Sequence, residues 1–366
     1  MKKKSLSIVL ICIIILTACQ TTSAEPISVT STTSTAISTF VSKTSTPLHT
    51  ATTLAKPTAT TFSPTQTLTA SAIPDRRVTL MAVGDIMLGR TIGDLIKTEG
   101  PEAPFLFTSD TLALADITLG NLECPISERG TAENKKYTFR APILAGEALA
   151  LAGFDLVSIA NNHILDFGPL ALDDTLSTLG KNQILSIGAG KDAYEANAPV
   201  IMDVDGLRLA FLAFMDVILE DYDYPAWEAG PNKPGVAWAH AQRIRESIMS
   251  AKTQADLVIV LLHNGYEMVQ TVSKYQQETA RLAIESGATL VIGSHPHVLQ
   301  RIEPYQSGLI VYSMGNFVFD NFLFPPNYSA ILSVELSPQG VENYELIDVV
   351  VQLNGVPQIM EYDLGD

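Results

Sequence analysis

Residues 289–297 read TLVIGSHPH. An apolar run stops at a glycine, and two histidines follow at alternate positions. Pro296 cannot donate to a sheet ladder, so a central strand cannot continue through it. The stretch reads as a buried strand that ends in a rigid polar turn. The pattern recurs along the chain. VTLMAVGD (78–85) ends at Asp85, DITLGNLE (116–123) at Glu123, and LVSIANNH (156–163) at Asn162 and His163. LVIVLLHNG (257–265) carries His263 near its end, and LIVYSMGNF (309–317) carries Asn316. Between these runs lie amphipathic stretches over 170–180, 239–252 and 273–287, the last closed by Gly287, a good helix stop. Apolar runs alternating with such helices predict an α/β domain with buried, largely parallel strands.

Other segments read as antiparallel. Residues 198–216 hold Asp205-Gly206 between two apolar runs, a hairpin signal. The C-terminal part from Ser329 onward alternates, with turns at Gln339-Gly340 and Asn354-Gly355. Two packed sheets with outer helices fit this mixture better than one open sheet. AWEAGPNKPGVAW (226–238) is dense in Pro and Gly and reads as a loop bordering the site.

The chain has 366 residues, a net charge of −16 and 46% hydrophobic content, enough for a substantial core. The acidic balance speaks against a nucleic-acid binder. Residues 1–19 read as a signal peptide: Lys2, Lys3 and Lys4, then an apolar run from Leu6 to Leu16, then Leu16-Thr17-Ala18-Cys19. The apolar run is shorter than the roughly 20 residues a membrane helix needs. Its end looks like a bacterial lipobox, with Cys19 the lipidated mature terminus; the competing reading is an uncleaved signal anchor. Residues 20–75 form a Ser/Thr-rich linker with scattered Pro, unable to bury a core. His49 lies in it and is not a ligand candidate. Residues 76–366 are the expected folded domain. Cys124 is its only cysteine, which excludes an intramolecular disulfide there. The expected location is extracytoplasmic, held to the membrane by the lipid.

Each polar strand end has a plain structural reading as a cap, a turn or a core histidine. Together they point elsewhere. In an α/β sheet the C-terminal strand ends lie on one edge, where ligands bind. Carboxylates, imidazoles and amides gathered there have the chemistry of a divalent-metal site.

The motifs GDIMLGR (84–90), NLECPIS (121–127), ANNHILDFG (160–168), HNGYE (263–267), GSHPHVLQ (293–300) and GNFVFD (315–320) resemble those of the CapA family, in the same order. These are capsule and poly-γ-glutamate biosynthesis proteins within the calcineurin-like metallophosphoesterase superfamily. The resemblance implies a four-layer α/β/β/α sandwich with two mixed central sheets and a metal site at their edge. It implies Asp85, Glu123, Asn162, His263, His295 and His297 as ligands of one or two divalent ions (Mn, Fe or Zn), with Glu123 as bridge. His163 and Arg90 would act on developing charge or on an anionic group, with Glu267 and Asn316 in support. Two departures stand out. The superfamily's first block is Asp-x-His, but Ile86 and Met87 follow Asp85; and Glu123 replaces the bridging aspartate.

The resulting expectation is a surface lipoprotein that acts in synthesis or export of an anionic polymer such as poly-γ-glutamate, through metal-assisted hydrolysis of a phosphoester or an amide. Its partners would be the polymer or its precursor and a membrane synthase complex. The alternative is a non-catalytic domain whose metal site, or its remains, binds the polymer or the synthase.

Overall fold

A computed structural model describes residues 76–217, 224–320 and 324–361. The expected signal peptide, Cys19, the linker and His49 lie outside the described residues. In chain order the strands and helices begin with β1 (Val78–Ile86), α1 (Arg90–Glu99), α2 (Ser109–Leu112), β2 (Ile117–Leu122), α3 (Ala145–Leu151), β3 (Leu156–Ser158), α4 (Gly168–Lys181) and β4 (Leu185–Ile187). Then come β5 (Ala189–Gly190), α5 (Ala193–Asn197), β6 (Val200–Val204), β7 (Leu207–Asp216), α6 (Tyr224–Trp227), β8 (Gly235–Val236), α7 (Ala241–Lys252) and β9 (Leu257–Asn264). The last are α8 (Lys274–Ser286), β10 (Leu290–Ser294), β11 (Ile302–Tyr305), β12 (Gly308–Val311), β13 (Asn316–Val318), β14 (Tyr328–Ser337), β15 (Gly340–Val351) and β16 (Pro357–Ile359).

Two mixed sheets form the frame of this mixed α/β fold. The eight-stranded sheet runs β16-β15-β14-β1-β2-β3-β4, with β13 also paired to β1. Its β1 to β4 ladders are parallel, and β14 to β16 add an antiparallel wing. The six-stranded sheet runs β11-β12-β10-β9-β7-β6. Its four central strands are parallel and its two edge strands antiparallel. The hairpin expected at Asp205-Gly206 joins β6 to β7, with φ of 50° and 78° at the two turn residues. Positive φ at both positions is what a two-residue turn with the strands' right-handed twist requires.

Alternation along β7 shows how the sheets are covered. Leu209, Phe211, Ala213 and Met215 join the apolar cluster that includes β1, β2 and β3. Ala210, Leu212 and Phe214 join a second cluster with Ile244 and Ile248 of α7 and Ala280, Ala283 and Ile284 of α8. Successive strand residues face opposite ways, so a sheet buried on both faces reads as an unbroken apolar run. α8 is closed at both ends. Ser273 and Gln276 form a reciprocal capping box, and Gly287 takes the left-handed conformation at φ 111°.

Two sequence expectations are corrected. LIVYSMGNF is not one strand. It leaves the six-stranded sheet after Val311 and enters the eight-stranded sheet at Asn316. The crossing segment passes directly over two glycines. A Cβ on Gly293 would stand 2.0 Å from Tyr312 O, and one on Gly84 would stand 2.0 Å from Gly315 O. Glycine is therefore needed at both places for close backbone approach. The stretch 226–238 is not wholly a loop: Gly235 and Val236 pair antiparallel with Gly190 and Ala189. Cys124 is buried and free, and burial pushes its thiol up to about 12.

Candidate metal centre

The crossing brings the strand ends of both sheets to one place. Asp85 is paired in register with Asn121 on one side and Asn316 on the other. Glu123 follows β2, its amide donating to Ile86 O at 2.8 Å. Asn162 and His163 lie in the turn after β3. From the other sheet come His263 in β9, opposite Ser294 in β10, and the turn His295-Pro296-His297. Asp85, Glu123, Asn162, His163, His263, His295, His297 and Asn316 are all buried.

Two groups of donor atoms lie within 4.8 Å of one another: Glu123 with His295 and His297, and Glu123 with Asp85 and His263. Glu123 is common to both. Asn162 Oδ1 lies 2.7 Å from His263 Nε2, and His263 Nδ1 lies 2.8 Å from Ser294 Oγ. His297 Nδ1 lies 2.9 Å from Asn316 Oδ1 and 3.2 Å from Asp85 Oδ2. His295 and His297 hold φ of 95° and 57°, left-handed values that cost a non-glycine residue about 1–3 kcal/mol each. The strain is retained where it turns two imidazoles toward the carboxylates.

The donor set fits a divalent cation. Among the described residues, Glu123 Oε1, His295 Nδ1 and Asn162 Nδ2 are buried without a hydrogen-bond partner. A buried carboxylate oxygen and imidazole nitrogen without hydrogen bonds cost free energy unless a cation meets them. Mixed oxygen and nitrogen donors suit Mn, Fe or Zn. Met87, where the superfamily's first block has histidine, is fully buried in the core. It supplies no imidazole, and the two groups form without one at that position.

The charge balance tells the same story. Burial first, then Asp85, pushes the Glu123 carboxyl well above its usual range. Burial, then neighbouring imidazoles, holds His263 and His295 well below theirs. Burial pushes His163 down to about 4, against the pull of Asp166. His297 is opposed by burial but raised on balance by its hydrogen bond to Asp85. Three imidazoles are thus kept neutral, and the shared carboxyl resists ionisation until positive charge arrives.

This sets the acid response of the metal-free protein. Below about pH 6.5 the unfolded chain protonates His163, His263 and His295, whereas the folded chain does not. Glu123 acts oppositely, holding one proton that the unfolded chain releases. Asp216, raised to about 6 by burial, and His297 also hold protons in the folded state, so near pH 5.5 the unfolded state binds about one more proton in all. Stability should fall on acidification by on the order of 1 kcal/mol per pH unit below about pH 6. Denaturant midpoints measured with chelator at about pH 6.0 and pH 5.0 check this; a midpoint that holds or rises at the lower pH contradicts it.

Arg90 and Glu267 stand outside the buried group. Arg90 opens α1, pairs with the buried Asp320, and lies over the rings of Phe139 at 4.7 Å and Phe319 at 5.6 Å. Glu267 sits exposed in the turn after β9. Both line a cavity of about 290 Å³ with His163, His297, Phe139 and Phe319. Every site residue expected from sequence within the described region therefore lies in the buried cluster or on this cavity.

Residues 79–321 match the sequence profile described as bacterial capsule synthesis protein PGA_cap. The chain belongs to this family. The PGA_cap chain is 30% identical over 286 residues to the capsule biosynthesis protein CapA of Bacillus anthracis, covering 76% of this chain and 68% of that one. It is also 30% identical over 270 residues to the PGA biosynthesis protein CapA of Bacillus subtilis, covering 73% and 70%. A probable polyglutamine synthesis accessory protein of Mycobacterium tuberculosis is 28% identical, covering 66% and 74%. CapA belongs to the metallophosphoesterase-like superfamily. Among solved structures, a hypothetical protein from Thermus thermophilus aligns with a TM-score of 0.49 at 15% identity, over 74% of this chain and 98% of that one.

The PGA_cap cluster also uses residues that strand-end reading did not find. The Asn121 amide donates to Asp85 Oδ1 at 2.8 Å and lies 3.2 Å from His263 Nδ1, and its oxygen accepts from Asn161 at 3.1 Å. Asn161 Oδ1 in turn accepts from the His163 amide at 3.1 Å. The signal for Asn121 was present: it lies two residues before Glu123 at the end of a strand, and positions two apart share a face. Asp166, three residues after His163, places its Oδ2 2.7 Å from His163 Nδ1.

Proposed function

We propose that this PGA_cap domain is a metal-dependent hydrolase that acts on an anionic surface polymer or its precursor during capsule synthesis. The observation that carries the reading is Glu123. One buried carboxylate is shared by two donor groups, and among the described residues its Oε1 has no hydrogen-bond partner. Asp85, Glu123, Asn162, His263, His295 and His297 would hold one or two divalent ions. Such ions supply Lewis-acid polarisation and a water nucleophile at neutral pH.

The chain's own groups supply the rest. Arg90, lying over the Phe139 and Phe319 rings and steadied by Asp320, offers planar N–H donors to a carboxylate or phosphate at the cavity wall. His163 faces the same cavity and is the group placed to move a proton. The relatives' names tie the family to capsule and poly-γ-glutamate synthesis, which favours an anionic, γ-glutamyl-containing substrate or a phosphoester of its precursor. Cys19 would anchor the protein outside the cytoplasm, beside a membrane synthase.

The test is metal analysis of the purified protein, followed by assays on phosphodiester, phosphomonoester and γ-glutamyl substrates with added Mn²⁺ or Zn²⁺. Bound metal with turnover on at least one class is expected. Metal-free protein at saturating supply overturns the metal site. Bound metal without turnover on any class leaves a binding domain for polymer or synthase, a reading to which the missing imidazole at Met87 lends weight.

A further inference from the structure

Lys135 is the unexpected residue near His163. It lies in the mostly exposed segment 127–140, yet its side chain is only 3% exposed. Its Nζ lies 2.6 Å from Asp166 Oδ1, donates to the Asn162 carbonyl, and stands over the Trp227 ring at 4.9 Å. An ammonium group this deep is tolerated only when paired and hydrogen-bonded. Asp166 is fully buried as well. Its Oδ2 accepts from the Phe139 amide at 2.6 Å and lies 2.7 Å from His163 Nδ1. A carboxylate held by an ammonium on one oxygen and an amide on the other remains an acceptor. Lys135 Nζ also lies 3.4 Å from Nδ1, well beyond the 2.7 Å to Asp166 Oδ2, so the proton between carboxylate and imidazole belongs to Nδ1. The Phe139 ring stacks on His163 at 4.1 Å and fixes its plane. Nε2 is left with its lone pair, 3.9 Å from Glu123 Oε1, on a residue that lines the cavity.

We propose that Lys135 is a positioning residue: acting through Asp166, it fixes His163 in the Nδ1–H tautomer and presents Nε2 to the cavity as a proton acceptor. The proposal rests on the hydrolytic reading above. In ester hydrolysis the water oxygen bonds to phosphorus and its proton passes to Nε2. The bond from phosphorus to the leaving oxygen breaks with its electron pair on that oxygen, which takes the proton back from Nε2. No redox partner is needed.

The experiment uses the Zn²⁺-loaded protein and the variants Lys135→Met, Lys135→Arg, Asp166→Asn and the double variant Lys135→Met/Asp166→Asn. The double variant removes both charges, so it keeps the test open if Lys135→Met alone fails to fold around an unpaired carboxylate. Long-range ¹H–¹⁵N spectra of the histidine rings, with His163 assigned by His163→Gln, report the tautomer. Kinetics on p-nitrophenyl and phenyl phosphate esters report proton return to good and poor leaving groups.

In the wild type the Nδ1–H form is expected. Lys135→Met and the double variant should mix or invert the tautomer and keep the bound metal. They should lower kcat roughly 10²-fold on the phenyl ester but less than about 10-fold on the p-nitrophenyl ester, with KM little changed. The double variant should be no slower than Asp166→Asn, because the residues act as a unit. Lys135→Arg should restore part of the loss. An unchanged tautomer, or equal losses on both esters, overturns the proposal and leaves Lys135 a structural residue. If the wild type hydrolyses no ester, the hydrolytic reading falls separately and the spectra alone decide: a retained tautomer overturns the role of Lys135, and a lost one upholds it.

Discussion

Glu123→Gln should lose metal-dependent hydrolysis by on the order of 10³- to 10⁴-fold and lose stoichiometric metal binding, while the metal-free domain stays folded. Both donor groups contain Glu123, so one substitution weakens both at once. The amide is nearly the same size but carries no charge, and one of its two outer atoms becomes a donor. Without metal the effect on stability should have the opposite sign. The folded protein pushes this carboxyl well above its usual range through burial and Asp85, so the ionised acid is a burden that glutamine removes. The check is a pair of denaturation curves near pH 8. The variant's midpoint should equal or exceed that of the wild type in chelator, and fall below it with saturating Mn²⁺, because only the wild type gains binding free energy. A variant that binds metal normally would show that the shared carboxylate is not the bridge.

The second large effect is expected from a residue with no functional group at all. Gly84→Ala should cost about 4 kcal/mol or more, a value reserved for severe backbone or packing conflicts. The added methyl would meet Gly315 O at 2.0 Å, Gly315 C at 2.9 Å and Met314 C at 3.0 Å, all main-chain atoms. None can swing aside as a flexible side chain could. Relief requires moving the crossing segment away from β1, which breaks the bond from Asp85 N to Gly315 O and the register of Asp85 with Asn316. Metal binding should weaken together with stability. Gly180→Ala, in α4 with nothing within 4 Å of the added methyl, is the control and should be neutral or stabilising by up to about 1 kcal/mol. Thermal melts of the two variants decide it: a Gly84→Ala melt within about 2 °C of wild type would refute the packing argument.

Much of this is legible in the sequence alone. β1, β2, β9 and β10 are apolar runs that stop at charged or imidazole groups, and period and composition mark both features. The Asp205-Gly206 turn announced its hairpin through conformational demand alone. The split of LIVYSMGNF was hidden because both sheets bury both faces of the strands involved, so the apolar run gives no sign of changing partners. Only Ser313 and Gly315 interrupt it before Asn316. Asn121 and Asp166 stood at readable spacings from Glu123 and His163. Lys135 did not. It lies in a polar stretch without period, and its burial is decided by a carboxylate 31 positions away. A long-range ion pair leaves no local trace in sequence.

The donors and the cavity wall are carried on different kinds of chain. Asp85, Glu123 and the three clustered histidines hang from strand ends rooted in two packed cores. Tyr137 and Phe139 come from the connection after β2, and Glu267 and Met268 from the turn after β9. Substitutions at Tyr137 and Glu267, exposed side chains of those connections, can reshape what the cavity admits while the donor atoms stay on their strand ends. Substrate choice can thereby drift at these exposed side chains while the strand-end donors and the Lys135–Asp166–His163 chain stay fixed.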